Sequence, residues 1–132
     1  EDICDETIEF GVINQHIAGI EHQYTYSMIP TKGHFTFDGI TKHDHQKKSL
    51  SKYLFPQHVF ISEVSFAPKT GAIDEDDGYL VTISNDVKKN TSSCLLFDAK
   101  NLEFGPVCEI PLPHQICSGT HATWAQKSDL KS

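Results

Sequence analysis

The sequence has little of what would mark several common classes of protein. No apolar run approaches the roughly eighteen residues that a membrane-spanning helix needs. Basic residues are few, with eleven Lys and Arg against eighteen Asp and Glu, which gives a net charge of −7. Nucleic acids and anionic membranes both require a basic face, so this balance argues against either partner. Apolar residues make up 38% of the 132 residues, which is low for a self-sufficient core but does not indicate disorder.

The cysteines lack the spacing of a metal or redox site. None of Cys4, Cys94, Cys108 and Cys117 belongs to a C-x-x-C pair, which argues against a zinc site or a thioredoxin-like motif. We therefore expect free thiols in a reducing cytoplasm, although a cross-strand disulfide between Cys94 and Cys108 stays open. The chain begins with Glu1 rather than Met and shows no signal segment, so we expect a fragment of a longer protein.

The pattern of apolar residues predicts strands and no long helix. No segment shows the 3.6-residue apolar period and the caps of a helix. Short β-rich segments alternate with turns instead, which predicts an all-β meander. Eight strands are expected, which is the strand count of two four-stranded propeller blades, with a β-sandwich as the alternative. The predicted strands are about 22–28, 35–40, 50–55, 59–66, 79–84, 94–97, 106–110 and 120–124, and a frayed, polar tail is predicted at 125–132.

Eight His residues are many for a chain of this length, so metal binding has to be considered. His43 and His45 could chelate a metal from one side of a strand, but they lie in a Lys-rich turn, so exposure to solvent is the better interpretation. His58 and His114 fall in loops and are left unassigned. Taken alone, His121 would be interpreted as a buried His that bonds a backbone carbonyl.

Two other features also have ordinary structural interpretations. The acidic run at 74–77 lacks the alternating ligand spacing and the terminal Glu of an EF-hand calcium loop. A solvated loop is therefore expected there. The single Trp124 is expected to pack in a core rather than to contact a substrate.

Several motifs occur in an order that resembles the carotenoid oxygenase family. Ser62-Glu63 is followed by Glu75-Asp-Asp-Gly-Tyr-Leu80, and the chain then reaches Gly119-x-His121-x-x-Trp124. Weaker matches extend the resemblance over most of the chain. The sequence departs from the family at Gly11-Val12, where Pro-Arg is usual, and at Val64, where Pro is usual. The resemblance therefore does not identify one substrate.

The resemblance implies a fold, a cofactor and a reaction. The chain would form the last two or so blades of a seven-bladed β-propeller, with residues 1–132 as the C-terminal part of one oxygenase domain. Members of this family are non-haem Fe(II) dioxygenases that cleave a carbon–carbon double bond of a carotenoid, apocarotenoid or stilbene-like substrate to carbonyl products. The implied partners are an apolar alkene and O₂, and membrane contact is expected only through parts outside this chain.

The resemblance also implies roles for two residues. Four His imidazoles hold the family's iron, and His121 corresponds to the last of them. Glu63 lies 58 positions before His121 (121 − 63). It corresponds to a Glu that accepts the N–H of a ligand imidazole and fixes the tautomer of that imidazole. Both are expected on neighbouring inner strands. One His cannot hold iron alone, so the isolated chain is expected to be inactive. The alternative is a metal-free binding or scaffold module derived from a propeller.

Overall fold

In the part of the chain that the structure describes, the regular structure consists of strands and two single-turn 3-10 helices. The computed structural model describes residues 6–117, 119, 121–127 and 130. The strands are β1 (Glu9–Val12), β2 (Tyr24–Pro30), β3 (Phe37–Asp44), β4 (Ser49–Leu54), β5 (Val59–Ile61), β6 (Ser65–Pro68), β7 (Gly78–Asp86), β8 (Thr91–Asp98) and β9 (Pro106–Pro111). The 3-10 helices are Gln15–Ile17 and Leu102–Phe104. Within the described residues, no helix is long and apolar enough to cross a membrane.

The strands form one antiparallel sheet built from two four-stranded meanders. In the first meander β1, β2, β3 and β4 pair in chain order, and in the second β6, β7, β8 and β9 do so. The short β5 joins the meanders, because it pairs with both β3 and β7. The all-β prediction is confirmed. Over the described residues the sheet is open rather than closed into a ring.

One apolar core extends across both meanders. Tyr26 and Met28 lie two positions apart on β2, so both point to the same face of the sheet, where they meet Ile40 of β3. Leu80 and Phe97 contribute from the second meander and are completely buried. Burying a large apolar side chain stabilises a fold by about 1.5–3 kcal/mol, so this shared core holds the meanders together.

The predicted strand at 59–66 is interrupted in the structure. β5 ends at Ile61 and β6 begins at Ser65, although both pair with β7. Ile61 lies opposite Ser84 and Ser65 opposite Val81, so four steps along this segment (65 − 61) face three along β7 (84 − 81). One extra residue against a partner strand is the pattern of a β-bulge, which turns side chains away from the regular alternation.

β1 was not predicted from the sequence, and its register has the same kind of irregularity. Glu9 faces Met28 and Val12 faces Tyr26, so three steps along β1 (12 − 9) face two along β2 (28 − 26). Phe10 takes a left-handed backbone conformation at this point, with φ 51°. For a non-Gly residue this conformation costs about 1–2 kcal/mol, so the surrounding contacts must hold it in place.

The predicted strand at about 120–124 is wrong for its described part. Residues 121–124 form no strand, and residue 120 lies outside the described residues. The reason is that backbone amides of this segment bond side chains instead of a neighbouring strand. The N–H of Gly119 donates to Ser62 Oγ at 3.0 Å, and the N–H of Ala122 donates to a carboxylate oxygen of Glu63 at 2.7 Å.

Trp124 does not pack in the core, so that expectation is also wrong. Its side chain lies at the surface with 47% exposure, because the segment that carries it runs over the sheet rather than within it. A frayed tail was predicted at 125–132. Residues 128, 129, 131 and 132 lie outside the described residues, so the tail stays a prediction.

Three cysteines are free thiols, as predicted: Cys94, Cys108 and Cys117. Cys4 lies outside the described residues. Cys94 faces Ile110 across the β8–β9 pair, and Cys108 faces Leu96, so the two thiols are diagonal neighbours. Diagonal positions are about 7–8 Å apart in an antiparallel pair, which is too far for a disulfide without backbone movement.

The acidic turn at 74–77 joins the two meanders, so the expectation of a solvated loop is wrong. Its two inner residues reach the first meander. Glu75 Oε1 accepts the backbone N–H of Tyr24 at 2.7 Å. Asp76 is only 9% exposed, and it accepts a hydrogen bond from Lys42 Nζ at 2.7 Å.

The two outer residues of the acidic turn bind the second meander. Asp74 Oδ2 lies 2.7 Å from the Nζ atom of Lys100, and Asp77 Oδ1 lies 3.3 Å from that of Lys69. The hydrogen bond and charge of Lys100 hold the pKa of Asp74 below its ordinary value. All four carboxylates therefore have partners, and the turn acts as a connector between meanders.

Candidate metal centre

Glu63 lies at the bulge between β5 and β6, and hydrogen bonds fix this loop to β7. The backbone N–H of Ser62 donates to the carbonyl of Ile83 at 2.9 Å, and the hydroxyl of Thr82 donates to the carbonyl of Ser62 at 2.8 Å. The Glu63 side chain is only 13% exposed. A carboxylate that has lost most of its water needs hydrogen-bond donors from the protein.

The Glu63 carboxylate finds these donors at the segment that carries His121. Its Oε2 atom lies 3.3 Å from His121 Nδ1 and accepts the backbone N–H of Ala122 at 2.7 Å. An ionised carboxylate can only accept, so the contact requires a proton on Nδ1. In the neutral imidazole, Nε2 then has a free lone pair, which is the form that binds a metal.

The structure therefore brings Glu63 and His121 together, as expected, but not from neighbouring strands. Both lie outside the strands, one in a bulged loop and the other in an extended segment. The side chain of His121 is 71% exposed and bonds a carboxylate, so it is not a buried His that bonds a backbone carbonyl.

Phe10 is a third member of this site, and the sequence analysis did not identify it. Its ring centroid lies 5.4 Å from that of His121, with the two planes at 87°. On its other side it meets Phe37 at 5.7 Å, also edge to face. Such edge-to-face contacts contribute about 0.5–1.5 kcal/mol beyond simple burial. Phe10 therefore combines a left-handed backbone with a side chain that packs against the imidazole of His121.

The other pair of His considered from the sequence, His43 and His45, is less exposed than expected. His43 is only 8% exposed because it lies inside β3, between Thr25 of β2 and Leu50 of β4. Its ring centroid lies 4.3 Å from that of His45, which in turn lies 5.4 Å from that of His22. The expectation of exposure is wrong for His43.

His58 and His114 stay without a role in the candidate site. His58 Nε2 lies 3.8 Å from a carboxylate oxygen of Asp86. His114 is exposed.

The residues that the structure describes do not form a complete metal site. They contain no group of three or more His, Cys, Asp or Glu side chains that could hold a metal ion. A carboxylate on one imidazole nitrogen, with the other nitrogen free, is the usual arrangement behind a metal-ligating His. His121 and Glu63 therefore have the arrangement of one metal-ligating His and the carboxylate that orients it.

Comparison with known proteins gives the family. A family model described as RPE65, retinal pigment epithelial membrane protein, matches residues 1–126. The chain belongs to the RPE65/carotenoid oxygenase family. The family resemblance predicted from the acidic turn and the His121 motif is therefore confirmed.

Relatives of this carotenoid oxygenase chain include enzymes from plants and bacteria. The carotenoid 9,10(9′,10′)-cleavage dioxygenase 1 of Phaseolus vulgaris is 29% identical, over 95% of this chain and 26% of the relative. The lignostilbene-alpha,beta-dioxygenase isozyme III of Sphingomonas paucimobilis is 34% identical, over 73% of this chain and 20% of the relative. The chain thus spans about a quarter of the length of the first relative and a fifth of the length of the second.

A solved structure of a relative has the same fold over nearly the whole chain. The cobalt-substituted apocarotenoid oxygenase of Synechocystis superposes with a TM-score of 0.86 at 24% identity, over 95% of this chain and 26% of that one. The cobalt substitution indicates that this relative binds a metal. The two meanders described above therefore correspond to a part of a larger carotenoid oxygenase fold.

Proposed function

We propose that this chain is the C-terminal part of a β-propeller dioxygenase that cleaves a carbon–carbon double bond with O₂. Membership of the carotenoid oxygenase family supports the reaction class. The relatives named above act, by their names, on carotenoids and on lignostilbene. A carotenoid, an apocarotenoid or a stilbene-like alkene is therefore the proposed substrate class. The two four-stranded meanders support the propeller, since four antiparallel strands make one blade.

The proposed cofactor is Fe(II), with His121 as one ligand and Glu63 as the residue that orients it. The contact between His121 Nδ1 and Glu63 Oε2 carries this proposal. When bound, the iron would supply the site at which O₂ is activated for attack on the alkene. Because the described residues hold a single such imidazole, we propose that the isolated chain is inactive.

Each residue around His121 acts on the imidazole in a different way. Glu63 keeps the proton on Nδ1 of His121, so that Nε2 stays free for the metal. The N–H of Ala122 fixes the carboxylate oxygen that does this. Phe10 places an aromatic ring beside the imidazole. That ring gives the imidazole an apolar neighbour, which suits an apolar alkene.

The test is the substitution His121→Ala in the full-length protein, with iron content measured by mass spectrometry after purification. We expect loss of bound iron and of alkene cleavage. His114→Ala is the matched control, because it removes a His that is also exposed. Normal iron content in His121→Ala would contradict the ligand assignment. A wild-type protein that holds no iron at all would favour the metal-free binding module.

A further inference from the structure

The segment that carries His121 has no strand partner to hold its backbone. Its described residues after β9, at 112–117, 119 and 121–124, form neither a strand nor a helix. A metal ligand has to be held within about 0.5 Å of its working position. The contact between His121 Nδ1 and Glu63 aims the ring, but a side chain that is 71% exposed does not fix the backbone that bears it. Other contacts must therefore hold this backbone.

Ser62 supplies one of these contacts through its hydroxyl. The Oγ atom of Ser62 accepts the backbone N–H of Gly119 at 3.0 Å. The two residues are in close contact, since a Cβ atom placed on Gly119 would lie 3.5 Å from Ser62 Oγ. Ser62 is only 5% exposed, and both its backbone N–H and its carbonyl are bonded to residues of β7. The hydroxyl therefore attaches Gly119 to a fixed point on the sheet.

Ser62 and Glu63 together hold the backbone on both sides of His121. The amide bonded by Ser62 lies two positions before His121, at Gly119. The amide bonded by Glu63 lies one position after it, at Ala122, with a distance of 2.7 Å to Oε2. A segment held by one amide can pivot about that bond, whereas two bonds three residues apart fix both its position and its direction. Both acceptors belong to the bulged loop between β5 and β6.

Ser92 of β8 holds the same segment further upstream and in the same manner. Its Oγ atom accepts the backbone N–H of Ile116 at 3.0 Å and donates to Asn85 Oδ1 at 2.7 Å. A hydroxyl has one proton to donate, so the bond to Asn85 leaves the lone pairs of the oxygen for the amide. Serine hydroxyls on the sheet thus replace a strand partner at two separate points of this segment.

We propose that Ser62 is a positioning residue for the metal ligand His121. Its hydroxyl holds the backbone before His121, while Glu63 holds the backbone after it and orients the imidazole. This inference rests on the proposed function of the His121 site and adds a residue to it. Without the hydroxyl, the backbone is free on one side, and Nε2 of His121 then samples a wider range of positions.

The first measurement is amide hydrogen exchange in the metal-free, full-length protein. Exchange in a peptide that covers residues 117–124 is compared by mass spectrometry for the wild type, Ser62→Ala and Ser62→Thr. We expect Ser62→Ala to speed up exchange at Gly119 by about twofold to tenfold, which corresponds to the loss of one typical hydrogen bond. Ser62→Thr keeps a hydroxyl and should restore the wild-type exchange. This result does not depend on the metal.

The second measurement is the rate at which the iron-loaded, full-length protein loses iron to a competing chelator. We expect Ser62→Ala to lose iron about three to ten times faster, which is less than the 10–100-fold effect of a direct partner of a metal ligand. Ser62→Thr should again restore the wild-type rate. Ser84→Ala is the matched control, because it removes another buried Ser hydroxyl, whose hydrogen bond goes to the carbonyl of Ser93 on β8. It should leave both measurements unchanged.

Three results would overturn the proposal. The first is unchanged exchange at Gly119 in Ser62→Ala, and the second is a wild-type rate of iron loss in that variant. The third is an equal effect of Ser84→Ala, which would show that removing any buried hydroxyl is enough.

Glu63→Gln and His121→Ala are measured alongside, so that the two levels of the argument fail separately. If both variants retain iron normally, the site assignment itself is wrong, and faster exchange in Ser62→Ala then reports a purely structural bond. If both lose iron while Ser62→Ala does not, only the role of Ser62 is wrong.

Discussion

Lys42 of β3 and Asp76 of the acidic turn form a buried ion pair that connects the two meanders. Lys42 Nζ lies 2.7 Å from Asp76 Oδ2, and the two side chains are only 10% and 12% exposed. The same ammonium group lies 4.2 Å from the centroid of the Tyr24 ring, where a cation–π contact adds to its stabilisation. Because both side chains are buried, the positive charge of Lys42 and the negative charge of Asp76 compensate each other where little water can do so.

Removing one partner of this pair should strongly destabilise the protein. Asp76→Asn keeps the shape but leaves the charge of Lys42 buried and uncompensated, so we expect a loss of about 3–5 kcal/mol in the free energy of unfolding. The control is Lys52→Met, which breaks the more exposed pair with Glu6, at 43% and 31% exposure, and should cost about 1 kcal/mol or less. Urea unfolding measures both, and equal losses would show that the buried pair does not connect the meanders.

Glu63→Gln should weaken metal binding without unfolding the protein. An amide in place of the carboxylate no longer fixes the proton on His121 Nδ1, so we expect about 10–100-fold weaker binding of iron. Competition with a chelator measures the dissociation constant. Glu103→Gln changes an exposed carboxylate and is the control. An unchanged constant in Glu63→Gln would mean that the contact with His121 has no part in metal binding.

Phe10→Leu should lower iron retention by a smaller factor. It keeps an apolar side chain but removes the aromatic edge-to-face contact with His121, which contributes about 0.5–1.5 kcal/mol. We therefore expect iron binding to weaken by about twofold to tenfold, as measured by the same competition. Phe35→Leu is the matched control, because the Phe35 ring is 75% exposed. An effect of equal size in both variants would exclude a specific role for Phe10.

The cluster of His22, His43 and His45 predicts a loss of stability in mild acid. Burial lowers the pKa of His45, and the neighbouring His43 and His22 lower it further, while Asp44 and Glu75 act in the opposite direction. The unfolded chain therefore binds a proton at this position more readily than the folded chain. The stability that depends on neutral His45 is complete above about pH 6.5 and is lost progressively as the pH falls below that value.

This pH dependence can be measured by urea unfolding at pH 7.5 and pH 5.5. We expect His45→Gln to lose less stability between these two values than the wild type does. His34→Gln, which changes an exposed His, should behave like the wild type. An identical loss in His45→Gln and the wild type would assign the pH dependence to other groups.

Much of the sheet could be predicted because its strands carry their signal locally. β7 is rich in β-branched residues and alternates between buried and half-buried positions, which is what the sequence pattern indicates. The bulges at Phe10 and Glu63 could not be predicted, because an extra residue is defined only relative to the partner strand. The segment at 121–124 was misjudged for a related reason: its amides bond side chains of a distant loop.

The charged and polar groups were misjudged wherever a partner lies far away along the chain. Asp76 stands in an acidic run that looks solvated, but its cation, Lys42, lies 34 positions earlier. His43 was assigned to an exposed Lys-rich turn, whereas it lies inside β3 with strands on both sides. The proximity of Glu63 and His121 was foreseen only through the family resemblance, because their spacing alone carries no such signal.

Phe10 and Glu63 both lie where a strand holds one residue more than its partner, and both contact His121. The site is therefore encoded in the number of residues as well as in their identity. Deleting one residue between Ile61 and Ser65 would leave three steps facing three on β7, so β5 and β6 could keep their pairing while the bulge that carries Glu63 is lost. Such an in-frame deletion of a single codon would leave the acidic turn and the His121 motif intact and still separate the carboxylate from the imidazole.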